Sequence, residues 1–220
     1  MSFYHRRQIH DSFESRVYAE LEQNGFVVRD LTYHTHLDAD IVARLQRVRT
    51  PTALLVRTRA DRIAVHQTHP IVAKIEVKTS GYHDGSFAIE AFPLAVHILE
   101  AKTVGAACLY ICFQRTKQHE FGFWAGEIQQ HIDAVCIPPY WHAFVGEYPE
   151  WLRCAFPDTP IRWLRYSTEG SNTPYVILAP SAVRSMAHWK TVLRDWLQEY
   201  TAPMAENASS LQTRFGVAHD

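Results

Sequence analysis

The chain has 220 residues, a formal net charge of −1, 47% hydrophobic and 20% charged residues. That composition is expected of a soluble globular protein, one large domain or a domain with an appendage, and the near-neutral charge means that a polyanionic partner must be held by a local patch. No apolar run approaches the ~18 residues that would span a membrane; the opening stretch MSFYHRRQIH lacks the apolar core of a signal peptide; and Cys108, Cys112, Cys136 and Cys154 form neither a C-x-x-C pair nor a zinc spacing, so a cytoplasmic protein with reduced thiols is expected.

In chain order, residues 11–24 have helical spacing: Phe13, Val17 and Leu21 recur every fourth position and Tyr18 widens the stripe. Asp11 is the expected N-cap, with Glu14 completing a capping box, and Gly25 the expected stop. Phe26, Val27 and Val28 begin a strand, and the polar run HTHLDAD (34–40) leaves it. The segment from Ile41 to Arg49 is short and arginine-rich, and Pro51 ends it. Residues 54–78 read as two apolar strands joined by a turn at His69–Pro70, with Asp61 on the first and Glu76 and Lys78 at the end of the second. GYHDG (81–85) is a turn. A helix follows from Phe87 to Lys102, starting nearer Glu90 if Pro93 lies in its first turn, and Gly105 ends it. AACLYICF (106–113) is a buried central strand, and a further strand spans 120–128. These elements predict an α/β or α+β fold, a mixed β-sheet with helices packed on it. Residues 1–136 form the expected core. Residues 137–200 form a proline- and aromatic-rich extension, with Pro138, Pro139, Tyr140, Trp141, Phe144, Tyr148, Trp151, Phe156, Trp163 and Tyr166. The extension has short strands at 161–166 and 175–178 and a helix from Ser181 to Tyr200, on which Trp189 and Trp196 form a packing or dimer face. Its aromatics read as core, or as platforms for unpaired bases. Residues 201–220 are an expected frayed tail.

The chemistry concentrates on the second strand. Side chains two apart share a face of a strand, so Glu76 and Lys78 point one way and Ala73, Ile75 and Val77 the other. A hairpin brings Asp61 beside the pair. Two carboxylates and a lysine on rigid strands suit a hard divalent cation such as Mg²⁺, with Mn²⁺ as a substitute. The bland reading of Glu76 and Lys78 is a solvated ion pair at a strand end.

The pattern D61-x14-E76-V77-K78, after the helix F13-E14-S15-R16-V17-Y18-A19-E20-L21 and before a helix and a buried strand, resembles the PD-(D/E)xK nuclease superfamily. The first helix looks like that of the Holliday-junction-resolvase-like and restriction-enzyme-like members. The resemblance covers residues 11–128 and departs at Ala60, where the family pattern has proline. It implies a restriction-endonuclease-like core and a metal-dependent deoxyribonuclease. In it Asp61 and Glu76 bind the metal, Lys78 orients or helps deprotonate the attacking water, and Glu14 or Glu90 completes the site. Against these stand the capping box for Glu14 and simple helix-start charge for Glu90. DNA is the implied partner, with a homodimer in keeping with the two strands of a duplex.

Asp40 rivals Asp61, because D38-A39-D40-I41-V42-A43 resembles the family's P-D-I-V-A string in letters; strand context favours Asp61. Arg44, Arg47, Arg49, Arg57, Arg59 and Arg62 form a candidate phosphate-gripping track. The alternatives are a non-catalytic nucleic-acid-binding module on the same fold, and a metallo-hydrolase using His34, His36 and Asp38 with Asp40, which would share a face if the stretch were a strand.

Overall fold

The structure, a computed structural model, describes residues 3–48, 51–68, 72–80, 86–128, 132–137, 150–157, 161–163, 173–179 and 184–185. Helix α1 (Phe3–Gln23) opens the chain. It buries Phe13, Val17 and Leu21, the stripe expected from the spacing. It begins well before Asp11, however, because the preceding residues simply continue the helix. Asp11 is therefore interior: its carboxylate lies 3.7 Å from Arg7 and its carbonyl accepts a hydrogen bond from Ser15 Oγ. The capping-box expectation for Asp11 and Glu14 is thereby overturned. Gly25 ends the helix with φ +84°, a backbone that a side-chain-bearing residue resists, and an added Cβ would lie 3.2 Å from the His66 ring.

Strand β1 (Phe26–Asp30) follows, then three helices: α2 (Tyr33–His36), α3 (Ala39–Arg47) and α4 (Pro51–Arg57). These are two corrections. His34, His36, Asp38 and Asp40 do not lie on a strand: the histidines sit in α2, Asp38 caps α3 and Asp40 is in its first turn. The apolar run from Leu54 to Arg57 is helical, not a strand. Pro51 is pre-set for a helix start and the residues after it include good helix formers.

Strands β2 (Arg62–His66) and β3 (Val72–Ser80) pair antiparallel with Arg62 opposite Ile75. His69–Pro70 and the 81–85 turn lie outside the described residues. Strand β4 (Phe87–Glu90) stands where the start of a helix was expected, and α5 (Ala91–Val104) takes over at once with Pro93 in its first turn and Gly105 left-handed at its end. Strands β5 (Cys108–Gln114) and β6 (His119–Trp124) complete the expected order. Then come β7 (Ile132–Ile137), α6 (Glu150–Ala155), β8 (Ile161–Trp163), β9 (Tyr175–Leu178) and β10 (Arg184–Ser185). The expected helix from Ser181 falls outside the described residues except at Arg184–Ser185, which are a strand paired to Gly122 and Phe121. Trp189, Trp196 and the expected tail also lie outside.

The main sheet runs β1-β2-β3-β5-β6-β10, and a second runs β4-β9-β7-β8. The expected mixed sheet with packed helices is what the chain forms. Its parallel pair, β3–β5, needs a crossover, and α5 lies in it. The two faces of the main sheet have different cores. On one, Phe13, Val17 and Leu21 of α1 pack on Phe26, Ala64, Ile75, Val77, Leu109 and Ile111. On the other, Leu94, Ala95 and Ile98 of α5 join Tyr110, Cys112 and Phe121, together with Val135, Val176 and Leu178 of the second sheet and Leu152 of α6.

Candidate functional site

Because Arg62 pairs with Ile75, the residue before it, Asp61, arrives beside Glu76. The two interlock. The Asp61 N–H donates to Glu76 Oε2 at 3.0 Å, and the Val77 N–H donates to Asp61 Oδ2 at 3.0 Å. Lys78, two residues along β3 on the same face, places Nζ 2.5 Å from Glu76 Oε1 and 3.9 Å from Asp61 Oδ2. Both carboxylates thus converge on one ammonium. Glu76 is only 2% exposed and Lys78 26%, so a buried carboxylate meeting a half-buried ammonium replaces the solvated ion pair.

Burial sets the electrostatics. It pushes the Glu76 carboxyl up to about 7, with the Asp61 charge adding to the rise and the Lys78 ammonium and the Asp61 N–H working against it. For Lys78 burial alone would favour the neutral amine, but the charges of Glu76, Asp61 and Glu90 outweigh it and hold the group above the usual lysine range. Lys78 is an ammonium at any physiological pH.

Glu14 lies on the α1 side and is held there. The Tyr18 hydroxyl donates to its Oε1 at 2.6 Å, Arg62 NH2 is 3.8 Å from that oxygen, and His10 Nε2 is 3.8 Å from Oε2. Burial, then the bond to Glu14, drives the Tyr18 hydroxyl far above its ordinary range. Glu90 ends β4 and stands at the N-cap position of α5 without a side-chain capping bond, with Thr173 Oγ1 3.4 Å from its Oε1; its charge acts on Lys78. Among the described residues, no group of three or more His, Cys, Asp or Glu side chains is gathered closely enough to hold a metal. The same observation leaves the His34–His36–Asp38 reading without a site. Asp40 is exposed on α3, whereas Asp61 is hydrogen-bonded into the Glu76 pair.

The arginines divide. Arg44 and Arg47 are exposed in the last turn of α3, Arg59 is exposed and Arg57 is partly covered; Arg49 lies outside the described residues. Arg62 is no part of an open track. Its NH1 is 2.6 Å from Asp30 Oδ2 and donates to the Asp61 carbonyl at 3.1 Å, while its guanidinium sits 4.9 Å above the Tyr18 ring. The Leu31 N–H donates to the same carbonyl. Burial opposes ionisation of Asp30, but hydrogen bonds from Thr32 and the Arg62 charge hold its carboxyl below the usual range. Arg62 therefore braces the Asp61 peptide against β1 and α1.

Sequence reasoning left out Asp30 and the pair behind β3: His97 on α5, 0% exposed, with Nδ1 2.8 Å from the Tyr110 hydroxyl. Tyr110 is the β5 neighbour of Glu76. Burial, then the charges of Lys74 and Lys78, pushes His97 down to about 3, so it is a neutral imidazole. The signal was present: His97 is the lone histidine in the apolar run Phe92–Leu99.

No family model matches the chain, and no curated protein matches it. Among solved structures it is similar to Hjc, a Holliday junction resolvase from the archaeal hyperthermophile Archaeoglobus fulgidus. The TM-score is 0.38 at 12% identity, over 83% of this chain and 95% of that one. A likeness at that level speaks neither to substrate nor to mechanism. Among the described residues no helix is long and apolar enough to cross a membrane.

Proposed function

We propose that the chain is a divalent-metal-dependent nuclease that hydrolyses phosphodiester bonds in DNA, with Asp61, Glu76 and Lys78 as its PD-(D/E)xK set. The observation that supports this most directly is the convergence of two carboxylates, Asp61 just before β2 and Glu76 on β3, on one cationic nitrogen. The donors fit a hard cation. Both are carboxylates, their oxygens already share a positive charge, and two protein ligands with the remaining positions left to water and phosphate oxygens is how Mg²⁺ is usually held. Mn²⁺ prefers the same donors.

Bound there, the ion would acidify a water and offset charge on the scissile phosphate and the leaving oxygen. The chain's own groups do the rest. Asp61 and Glu76 are held in register by hydrogen bonds from the Val77 and Asp61 N–H groups, so the carboxylates themselves are pre-positioned. Lys78, as an ammonium, donates a hydrogen bond to the attacking water or to a non-bridging phosphate oxygen. Its raised proton affinity favours orientation and charge neutralisation over proton abstraction. Arg62 acts through Asp61, by holding its peptide. Arg44, Arg47, Arg57 and Arg59 are the proposed backbone contacts, while Glu14 and Glu90 flank the site and tune its charge. In this reading residues 1–136 carry the chemistry, and later strands, which pair into both sheets, brace it.

The test is incubation of supercoiled plasmid and single-stranded DNA with Mg²⁺ or Mn²⁺, with and without EDTA. Cleavage that EDTA abolishes, and that falls about 10²–10³-fold in Lys78→Ala, is expected. Salt-sensitive binding without cleavage would replace the nuclease with a DNA-binding module, and neither activity would end both readings.

A further inference from the structure

We propose, on the premise that Asp61 and Glu76 hold the metal, that Lys78 is a built-in competitor for that metal: its ammonium takes the place between the two carboxylates, and metal entry must displace it. Glu76 is buried at 2% exposure, and each of its oxygens already has a partner, Oε1 in Lys78 Nζ and Oε2 in the Asp61 N–H. Asp61 Oδ2 is engaged in turn by the Val77 N–H, with Nζ 3.9 Å away. Glu76 is buried and Asp61 is 23% exposed, so the buried carboxylate in particular needs a positive partner, which the ammonium supplies. A metal ion and an ammonium on the same carboxylate oxygens repel each other, so Lys78 Nζ must leave Glu76 Oε1 as the metal enters, which frees it for the water or the phosphate. Lys74, next on the same face, does not substitute, because its Nζ is committed to Glu100 Oε2 at 2.7 Å.

The consequence separates affinity from turnover. Removing the ammonium while keeping the length of the side chain lets metal bind without displacing anything, even as cleavage is lost. A lysine that served only as structural filler would not move metal affinity upward.

The experiment is titration of the full chain with Mn²⁺ alone, without DNA, at pH 8, followed by calorimetry or by the paramagnetic signal of free ion. Lys78→Met is expected to bind Mn²⁺ about tenfold more tightly than the unmodified protein, with Lys74→Met changing less than about twofold. Equal or weaker binding by Lys78→Met overturns the proposal. So does equal tightening by Lys74→Met, which would mean that bulk positive charge, not occupancy, sets the affinity. Should Lys78→Met fold poorly without metal, Lys78→Gln is read by the Mn²⁺-induced rise in melting temperature, expected to exceed that of the unmodified protein; a smaller rise overturns it. If the unmodified chain binds no Mn²⁺, the metal reading falls as well. If it binds Mn²⁺ and Asp61→Asn abolishes that binding while Lys78→Met leaves it unchanged, only the competition falls.

Discussion

The two faces of β3 are built from alternate residues of one strand and do opposite things. Ala73, Ile75 and Val77 enter the core under α1. Lys74, Glu76 and Lys78 face the other way, where Lys74 binds Glu100 and the other two meet Asp61. Burial is nearly complete on both faces at the centre of the strand, since Ile75 is 0% and Glu76 2% exposed. What differs is the sign of its effect. For Ile75 burial removes apolar surface from water and stabilises the fold by roughly 1.5–3 kcal/mol. For Glu76 it strips hydration from a carboxylate, a cost that only the lysine and a backbone N–H offset. One face holds the fold together, and the other carries a charged cluster that the fold must support.

The sharpest way to break this contrast is a pair of neighbouring substitutions. Ile75→Ala is expected to cost about 2–5 kcal/mol of stability, read by denaturant unfolding, while the fraction still folded cleaves at nearly full rate. Glu76→Gln is expected to do the reverse, losing cleavage by about 10²–10³-fold with the fold intact. If Ile75→Ala abolished cleavage in protein shown to be folded, the two faces would not be separable.

A smaller effect sharpens the same point through pH. The Glu76 carboxyl titrates near 7 in the folded chain, against about 4.3 in an unfolded one. A raised folded value means that its stabilising contribution is full below about pH 4 and is lost as pH rises through about 7. Metal-free Glu76→Gln should therefore lose stability less steeply than the unmodified chain between pH 5 and 8, by on the order of 1–3 kcal/mol, measured by urea midpoints across that range. Metal-dependent cleavage should rise over the same interval, because a ligand must be deprotonated to bind. A flat midpoint difference would mean that burial does not raise the Glu76 carboxyl.

The smallest effect concerns the arginines. Arg44→Ala with Arg47→Ala should change stability by less than about 0.5 kcal/mol and lower the slope of DNA affinity against salt by about 2. Arg62→Lys should leave that slope alone, and should cost about 1 kcal/mol and roughly tenfold in cleavage through a looser Asp61. If Arg62→Lys lowered the salt slope instead, its place as a brace would be wrong.

Much of this was legible in the residues. The stripe Phe13–Val17–Leu21, the stop at Gly25, the apolar run of β5 and the alternation of β3 follow from local periodicity, which a chain carries wherever it folds. The misreadings were also local. Leu54–Arg57 is apolar enough for either a strand or a helix, and Pro51 tipped it toward a helix. Asp11 has the look of a cap, but the residues before it are good enough helix formers to run through it.

On its own, the sequence determined that Glu76 and Lys78 share a face opposite Ile75, because strand alternation needs only neighbours along the chain. Only the tertiary structure decided that Asp61 and not Asp40 lies against Glu76, that Glu76 is buried, and that Arg62 turns inward to Asp30 and Tyr18. Those outcomes depend on the β2–β3 register and on what α1 and α5 cover. Desolvation and pairing are properties of whatever the rest of the fold brings close, and no spacing within a single strand can encode them.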